Sequence, residues 1–147
     1  MRNAVHRDSL NRIIDANINR AKEGLRVCEE ITRFILNNRS LTGKLKTARH
    51  KIETLVTLLP ASHRLLAARK SLSDVGKTIY IRELKRRSLA DIFYANITRV
   101  QESIRVLEEF TKLDSAKIAV AFKKIRYDVY EIERLIAQKL SAPHTHT

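Results

Sequence analysis

A seventeen-residue segment occurs twice in this chain, and the duplication limits what the sequence can fold into. Residues 16–32 and 95–111 are identical at ten of seventeen positions, where about one identity is expected by chance. Apolar residues recur at spacings of three, four and seven through the first copy, which is typical of one helix face. Two such helices bury their apolar faces most simply by packing against each other.

The helices that follow the two copies also match, although more weakly. Leu45, Ala48, Ile52, Leu55 and Leu59 align with Phe122, Ile125, Val129, Ile132 and Ile136. The chain has only 3 Gly and 2 Pro, so long uninterrupted helices are permitted. We therefore predict an all-α helical bundle of two pseudo-symmetric helical hairpins joined by a short helix and a loop.

Caps and helix breakers set the predicted boundaries. The expected helices span about residues 9–37, 41–59, 62–70, 88–113 and 116–140, with an extended loop at 71–77. Asp8 or Ser9 and Ser88 are candidate N-caps, and Pro60 closes the second helix. The predicted organisation is a single domain over 1–147, with repeat 1 at about 9–59, a connector at 60–87, repeat 2 at 88–140 and a disordered tail at 141–147. His144 and His146 in that tail are interpreted as incidental.

The net charge of +13, from 29 basic and 16 acidic residues, predicts an anionic partner. Nucleic acid, an acidic membrane surface and phosphorylated small molecules all fit, but the even spread of basic residues disfavours nucleic acid. No stretch approaches the ~18 apolar residues of a membrane span, and no apolar signal region begins the chain, so we expect a cytoplasmic protein. Cys28, the sole cysteine, lies in an apolar helical pattern and is predicted to be a buried, unreactive thiol.

The duplicated segment keeps polar residues as well as apolar ones. Asn, Arg, Glu and Arg stand three residues apart in each copy, as Asn17, Arg20, Glu23, Arg26 and as Asn96, Arg99, Glu102, Arg105. Residues three apart are neighbours on a helix, so each set forms a polar ridge. One interpretation is structural: Asn and Arg bond to the opposite copy, and Glu30 and Glu109 complete ion pairs. The other is that the two ridges line a pocket for an anion, since Arg binds phosphate in a bidentate manner.

Other recognised chemistry is missing from the sequence. There is no phosphate-binding P-loop, dinucleotide glycine fingerprint, His/Cys metal cluster or Ser-His-Asp pattern. An enzyme of this composition would work through positioning and positive charge, which suits phosphoryl transfer. Asp74 is a candidate Mg²⁺ ligand or base, Gly76 would let the backbone approach a phosphate, and Arg69 and Lys70 are candidate phosphate contacts. The alternatives are ordinary turn chemistry for the loop and solvated surface charge for the two cations.

Several motifs together resemble a known family. They lie at residues 12–30 and 45–50, at Asp74-Val-Gly, at residues 95–109 and at Arg126-Tyr127. In this order and spacing they resemble the small helical domain fused to the N-terminus of some thiamine-phosphate synthases, which also occurs alone. The resemblance covers about residues 10–138. That family is assigned as a hydroxymethylpyrimidine phosphate kinase, so the resemblance implies conversion of the monophosphate to the diphosphate with ATP and Mg²⁺.

The family motifs, combined with the chemistry of each side chain, give a set of candidate site residues. The predicted catalytic residues are Arg20, Arg99 and Asp74, and the predicted metal ligands are Glu23, Glu102 and Asp74. Asn17 or Asn96 would pair with the aminopyrimidine edge. The remaining candidates for substrate or phosphate binding are Arg26, Arg105, Arg49, His50, Arg126, Tyr127, Arg69 and Gly76. The implied partners are a phosphorylated pyrimidine, a nucleotide and a thiamine-phosphate synthase, and a homo-oligomer is compatible with the sequence.

Three other functions remain open at the level of sequence. One is a non-catalytic module that binds a thiamine precursor or docks on a thiamine-phosphate synthase. Another is a basic RNA-binding domain, which the scarcity of aromatic residues disfavours. The last is a helical mutase-like enzyme for an anionic metabolite.

Overall fold

The computed structural model describes residues 2–78 and 84–142, with side chains from residue 6 onward. The described residues contain five α-helices and no strand, which confirms the predicted all-α class. The helices are α1 (Arg2–Glu30), α2 (Arg39–Leu58), α3 (Leu65–Ala68), α4 (Leu89–Thr111) and α5 (Ala116–Ser141).

Four long helices form the bundle, and each packs against two others. The hairpins α1–α2 and α4–α5 are joined face to face, with α1 along α4 and α2 along α5, while the short α3 lies against α1. The apolar rows meet in one core, in which Leu25, Leu45, Ile104 and Phe122 are fully buried. Burying each such side chain contributes about 1.5–3 kcal/mol, so packing of matched apolar faces holds the two copies together.

The two copies approach each other closely at Gly24 on α1. A Cβ atom built there would lie 2.6 Å from Val100 Cγ2 and 3.0 Å from the backbone oxygen of Asn96, both on α4. Glycine is therefore required for this close approach of the helix backbones. The matching position in the second copy is Ser103, which is buried but already carries a Cβ.

Polar caps begin three of the long helices. The side chains of Asn38, Ser88 and Ser115 accept hydrogen bonds from the backbone N–H groups of Leu41, Asp91 and Ile118, at 2.9, 3.1 and 3.2 Å. Each cap satisfies one of the unpaired N–H groups at a helix start. The prediction that Ser88 caps the fourth helix is confirmed.

The predicted start of the first helix is wrong. Helix α1 begins at Arg2 rather than at Ser9, so Asp8 and Ser9 lie inside the helix and cap nothing. Two N–H groups of Arg7 donate to Asp114, at 2.5 and 3.0 Å, and this contact ties the additional turns to the end of the second repeat. Sequence periodicity missed these turns because their contact is polar.

The first helix also ends differently from its copy. A π-helical turn, Ile31–Ile35, follows α1, and the chain then turns at Asn37 with φ 49°. Asparagine is one of the few residues that tolerates this left-handed conformation. Helix α4 shows no such turn and ends at Thr111.

Two predictions for the remaining segments need correction. The predicted extended loop at 71–77 contains a 3₁₀ turn, Ser71–Ser73, because Ser73 and Asp74 donate hydrogen bonds back to Lys70 and Ser71. Helix α5 continues to Ser141, the first residue of the predicted disordered tail. Residues 143–147, with His144 and His146, lie outside the described residues.

Cys28 is fully buried, as predicted. Burial, reinforced by the nearby carboxylates of Glu29 and Glu133, raises the pKa of its thiol to about 12. Because the thiolate is the reactive form, this cysteine is chemically quiet at neutral pH. Among the described residues, no helix is long and apolar enough to cross a membrane.

Candidate functional site

Residues from two distant segments meet in one pocket, which we call the connector pocket. Asn17 and Arg20 of α1 line it together with Arg69, Lys70 and Asp74 of the connector, and its volume is about 450 Å³. Four of these residues are predicted site residues. The pocket is lined by α1 and the connector, with no residue of α4, so the second polar ridge does not contribute to it.

The connector is anchored to α1 by a bidentate ion pair. Arg69 donates from Nε and Nη2 to the two carboxylate oxygens of Asp15, at 2.8 and 2.9 Å. The hydrogen bonds to Asp15 raise the pKa of Arg69 above its ordinary value. Three N–H donors of the guanidinium are not used by this pair, so Arg69 holds the pocket together and still has donors for an anion.

Asp15 is a pocket residue that sequence reasoning missed. It is buried on α1, between the core residues Ile14 and Ile18, and its partner is 54 positions away. The available signal was a carboxylate inside an apolar helix face, since a buried charge needs a partner. The matching position in the second copy is Tyr94, so the repeat itself did not reveal it.

The conserved asparagines of the two ridges have partners on their own helices. Asn17 Nδ2 donates to the backbone oxygen of Ile13, and Asn96 Nδ2 donates to that of Ile92, both at 2.8 Å. The predicted bonds to the opposite copy are therefore wrong for this pair. Arg20 is exposed, and its Nη1 reaches Asn17 Oδ1 at 3.5 Å. Asn17 thus positions Arg20 at the pocket.

The loop aspartate forms a tight turn at the pocket edge. The Gly76 N–H donates to Asp74 Oδ1 at 2.8 Å, which is the turn chemistry expected of an Asp before a Gly. Asp74 therefore serves the turn with one oxygen and keeps the other, Oδ2, without a hydrogen-bond partner among the described residues.

Two predicted phosphate ligands are instead held in buried ion pairs. Arg49 donates to Glu29 from Nε at 2.9 Å and from Nη2 at 3.3 Å. Arg126 donates to Glu108 from the same two atoms, with Nη2 at 3.1 Å. These hydrogen bonds raise the pKa of both arginines. A buried guanidinium needs such a partner. The carboxylate occupies two N–H donors of each arginine, so fewer donors remain for a phosphate.

The carboxylates of these pairs are Glu29 and Glu108. The structural interpretation placed Glu30 and Glu109 in ion pairs, and of these Glu109 pairs with Arg105 and Lys112, while Glu30 forms no ion pair with a described residue. Glu29 and Glu108 are 4% and 3% exposed, whereas Glu30 and Glu109 are exposed. Both glutamate positions are identical between the copies, so sequence identity could not show which glutamate pairs with the arginine. The helix face could have shown it, because position 29 lies beside the buried Cys28 and position 30 faces solvent.

Each buried pair forms the floor of a basic cleft of about 530 Å³. The first basic cleft is lined by Arg26, Glu29, Glu30, Arg33, Asn37, Asn38, Arg39, Thr42, Gly43, Lys46 and Arg49. The second basic cleft is lined by Arg105, Glu108, Lys112, Ala116, Ala119, Val120, Lys123, Arg126 and Tyr127. Four of the predicted substrate-binding residues, Arg26, Arg49, Arg105 and Arg126, and the predicted Tyr127 thus lie in these clefts and not in the connector pocket.

The other predicted site residues do not line the connector pocket. His50 lies exposed in a groove between α2 and α5. Glu23, Arg99 and Glu102 are exposed on their helices, and Asn96 is half-buried. Within the described ranges, no group of three or more His, Cys, Asp or Glu side chains is arranged to hold a metal ion.

The fold and its pockets define a small helical domain whose surface pockets are lined by several basic residues. The model of the ThiD2 family matches residues 12–135. The chain therefore belongs to the ThiD2 family.

Curated relatives are similar over most of this chain. It is 42% identical over 123 residues to a thiamine-phosphate synthase of Nostoc punctiforme, covering 83% of this chain and 34% of the relative. It is 39% identical over 142 residues to that of Rhodopirellula baltica, covering 96% and 37%, and 40% identical over 136 residues to that of Synechocystis sp., covering 90% and 38%. The chain spans about a third of the length of these relatives. No solved structure matches it.

Proposed function

We propose that this chain is a phosphotransferase of thiamine biosynthesis that converts hydroxymethylpyrimidine phosphate to the diphosphate with ATP. The thiamine context is supported by ThiD2 family membership and by relatives named thiamine-phosphate synthase. The kinase assignment rests on one observation: the connector pocket joins Asn17, Arg20, Arg69 and Asp74 from two separate segments.

The connector pocket suits a phosphorylated small molecule in size and charge. Its volume of about 450 Å³ lies in the usual range for small-ligand pockets. The Arg69–Asp15 pair is neutral, which leaves Arg12, Arg20 and Lys70 facing the single carboxylate of Asp74. This excess of positive charge favours an anion, and the amide of Asn17 offers a contact for a heterocycle.

The proposed reaction needs positioning more than acid–base chemistry. An oxygen of the substrate phosphate attacks the γ-phosphorus of ATP, the bond to the bridging oxygen of the β-phosphate breaks, and ADP leaves. Because the attacking phosphate is already anionic, no strong base is required. Arg20 and Lys70 stabilise the negative charge on the transferred group, which is the main work in phosphoryl transfer.

Mg²⁺ fits this pocket only together with a nucleotide. Asp74 Oδ2 is the one carboxylate oxygen of the described pocket residues without a partner, because Arg69 occupies both oxygens of Asp15. Magnesium commonly binds through one or two carboxylates plus substrate phosphates and water. When bound, it would neutralise charge on the phosphates, and Asp74 is the residue that would hold it.

A coupled assay with purified chain, ATP, Mg²⁺ and hydroxymethylpyrimidine phosphate tests the function. We expect diphosphate and ADP to form in equal amounts. Arg20→Ala should lower kcat/KM by at least about 100-fold, since a guanidinium acting on transferred phosphate contributes this much or more. Arg134→Ala, which removes an exposed arginine of α5, is the control. No diphosphate at high enzyme concentration would rule the kinase out.

The same substitution in the second copy distinguishes a site that uses one polar ridge from a site that uses both. Arg99→Ala matches Arg20→Ala in the repeat but lies outside the connector pocket. We expect a loss of no more than about threefold for Arg99→Ala, because an exposed charge acts only weakly at a distance. Equal losses for both variants would instead favour a site that uses both ridges.

The second candidate is a non-catalytic module that binds a thiamine precursor or docks on a thiamine-phosphate synthase. It is supported by the exposed apolar residues Leu72 and Val75 of the connector, 87% and 98% exposed, close to Asp74. Precursor binding or complex formation with a synthase, without ATP turnover, would favour this function over the kinase.

A further inference from the structure

The two basic clefts occupy matching places in the repeat, and the cations that line them are retained. Arg26 and Arg49 correspond to Arg105 and Arg126, and Lys46 corresponds to Lys123. Arg49 and Arg126 are held by the buried Glu29 and Glu108, so their retention also serves the fold, whereas Lys46 and Lys123 form no ion pair with a described residue. Both copies therefore keep a positively charged cleft, which is separate from the connector pocket.

The two clefts differ in how much of their charge is available. In the second cleft, Glu109 lies 3.1 Å from Arg105 and 3.0 Å from Lys112, so both of these cations have an ion-pair partner, although the one carboxylate cancels only one of their two charges. Arg126 is held by Glu108. Lys123 is thus the only lining cation of that cleft without an ion pair among the described residues.

The first cleft keeps three such cations. Arg33, Arg39 and Lys46 form no ion pair with any described residue, although all three line the cleft. Arg33 lies on the π-helical turn, which the second copy lacks, and Arg39 begins α2. The positive end of the α2 dipole adds to the charge of Arg39 and Lys46.

We propose that the first basic cleft is a binding site for an oligophosphate chain. Three cations without an ion-pair partner outnumber the one unpaired carboxylate of the cleft, Glu30, and they match the several negative charges of linked phosphates better than a single phosphate. The lining contains no aromatic ring, so a nucleobase has no surface on which to stack. The recognised group is therefore the phosphate chain itself, whether it is inorganic or part of a nucleotide.

Calorimetric titration of the full chain with inorganic tripolyphosphate, at constant ionic strength, tests this site. We expect the tightest tripolyphosphate site to be the first basic cleft, with weaker binding at the second basic cleft and at the connector pocket. The variant R33Q/K46Q should raise the Kd at least about tenfold, because it removes two charge-assisted contacts. The matched variant K112Q/K123Q, at the same repeat positions, should raise it less than about threefold. Binding of ATP but not AMP would show that a nucleotide tail also fits.

The results that would contradict the oligophosphate site can be told apart from one another. Absence of tripolyphosphate binding, or equal weakening by the two double variants, would overturn the proposal. Binding of a short single-stranded RNA through Arg33 and Lys46, without binding of tripolyphosphate, would overturn it in favour of a nucleic-acid surface. Thermal melts confirm that the variants fold. Arg20→Ala should retain tripolyphosphate binding at this cleft, so failure of the kinase proposal and failure of this one are separate results.

Discussion

The two hairpins of this protein share most of their polar residues and yet offer different surfaces. Both contain the buried Glu–Arg pair, the asparagine bonded to its own helix and a fully buried threonine, Thr32 or Thr111. The first hairpin alone has the π-helical turn and lines the connector pocket. The shared polar residues thus mainly build the fold, and the two sites form where residues of the connector or of the first hairpin alone are added to them.

The second hairpin also pairs more of the cations in its cleft with carboxylates. Glu109 bridges Arg105 and Lys112, and Arg126 lies over the rings of Tyr127 and Tyr130. In the first hairpin the corresponding Glu30 forms no ion pair with a described residue. A residue that is identical in the two copies therefore does not have the same function in both, because the neighbouring residues decide whether its charge is paired.

The largest expected effect concerns the buried Glu–Arg pair that both hairpins contain. Arg49→Ala and Arg126→Ala should each lower the free energy of unfolding by about 3 kcal/mol, because each leaves a buried carboxylate without its partner. Urea denaturation monitored by circular dichroism measures both. A loss in only one variant would show that the two pairs are not equivalent. Arg134→Ala, from an exposed ion pair, is the control and should have no measurable effect.

A smaller effect on the free energy of unfolding is expected at Gly24, where α1 approaches α4 and the second copy has Ser103 instead. Gly24→Ala should lower the free energy of unfolding by about 1–2 kcal/mol, because its Cβ would overlap Val100 and approach a backbone oxygen of α4. Ser103→Ala, at the matching position, should cost less than about 1 kcal/mol, because a Cβ is already present there. The same denaturation experiment compares them, and a stabilising Gly24→Ala would contradict the close helix approach.

The smallest expected effect would make the second cleft behave like the first. Glu109→Gln removes the carboxylate that pairs with both Arg105 and Lys112. We expect tripolyphosphate to bind the second cleft about threefold more tightly in this variant, since exposed charges are partly screened. Glu30→Gln in the first cleft is the matched variant. Calorimetry on an R33Q/K46Q background isolates the second site, and unchanged binding there would show that Glu109 does not control it.

The sequence predicted the class of fold because the repeat and the apolar periodicity depend on local patterns. Four long helices, the Ser88 cap and the buried Cys28 follow from such patterns. The start at Arg2 and the π-helical turn depend on distant or backbone contacts, such as Arg7 with Asp114, and periodicity does not contain them.

The candidate site was predicted only in part, for a related reason. Asn17, Arg20, Arg69 and Asp74 were all identified, and the structure brings them into one pocket. The predicted roles of Arg49 and Arg126 did not allow for their buried partners, Glu29 and Glu108. Which carboxylate takes a cation depends on how neighbouring helices rotate against each other, and that rotation is a property of packing.

The central claim is that the connector pocket, and not its counterpart in the second repeat, holds the substrate. Amide chemical shifts of the ¹⁵N-labelled chain, titrated with hydroxymethylpyrimidine phosphate, test it most directly. We predict that the largest changes fall on residues 15–20 and 69–76, with small changes at residues 94–99. Changes of equal size in both repeats, or changes confined to residues 94–99, would contradict the account.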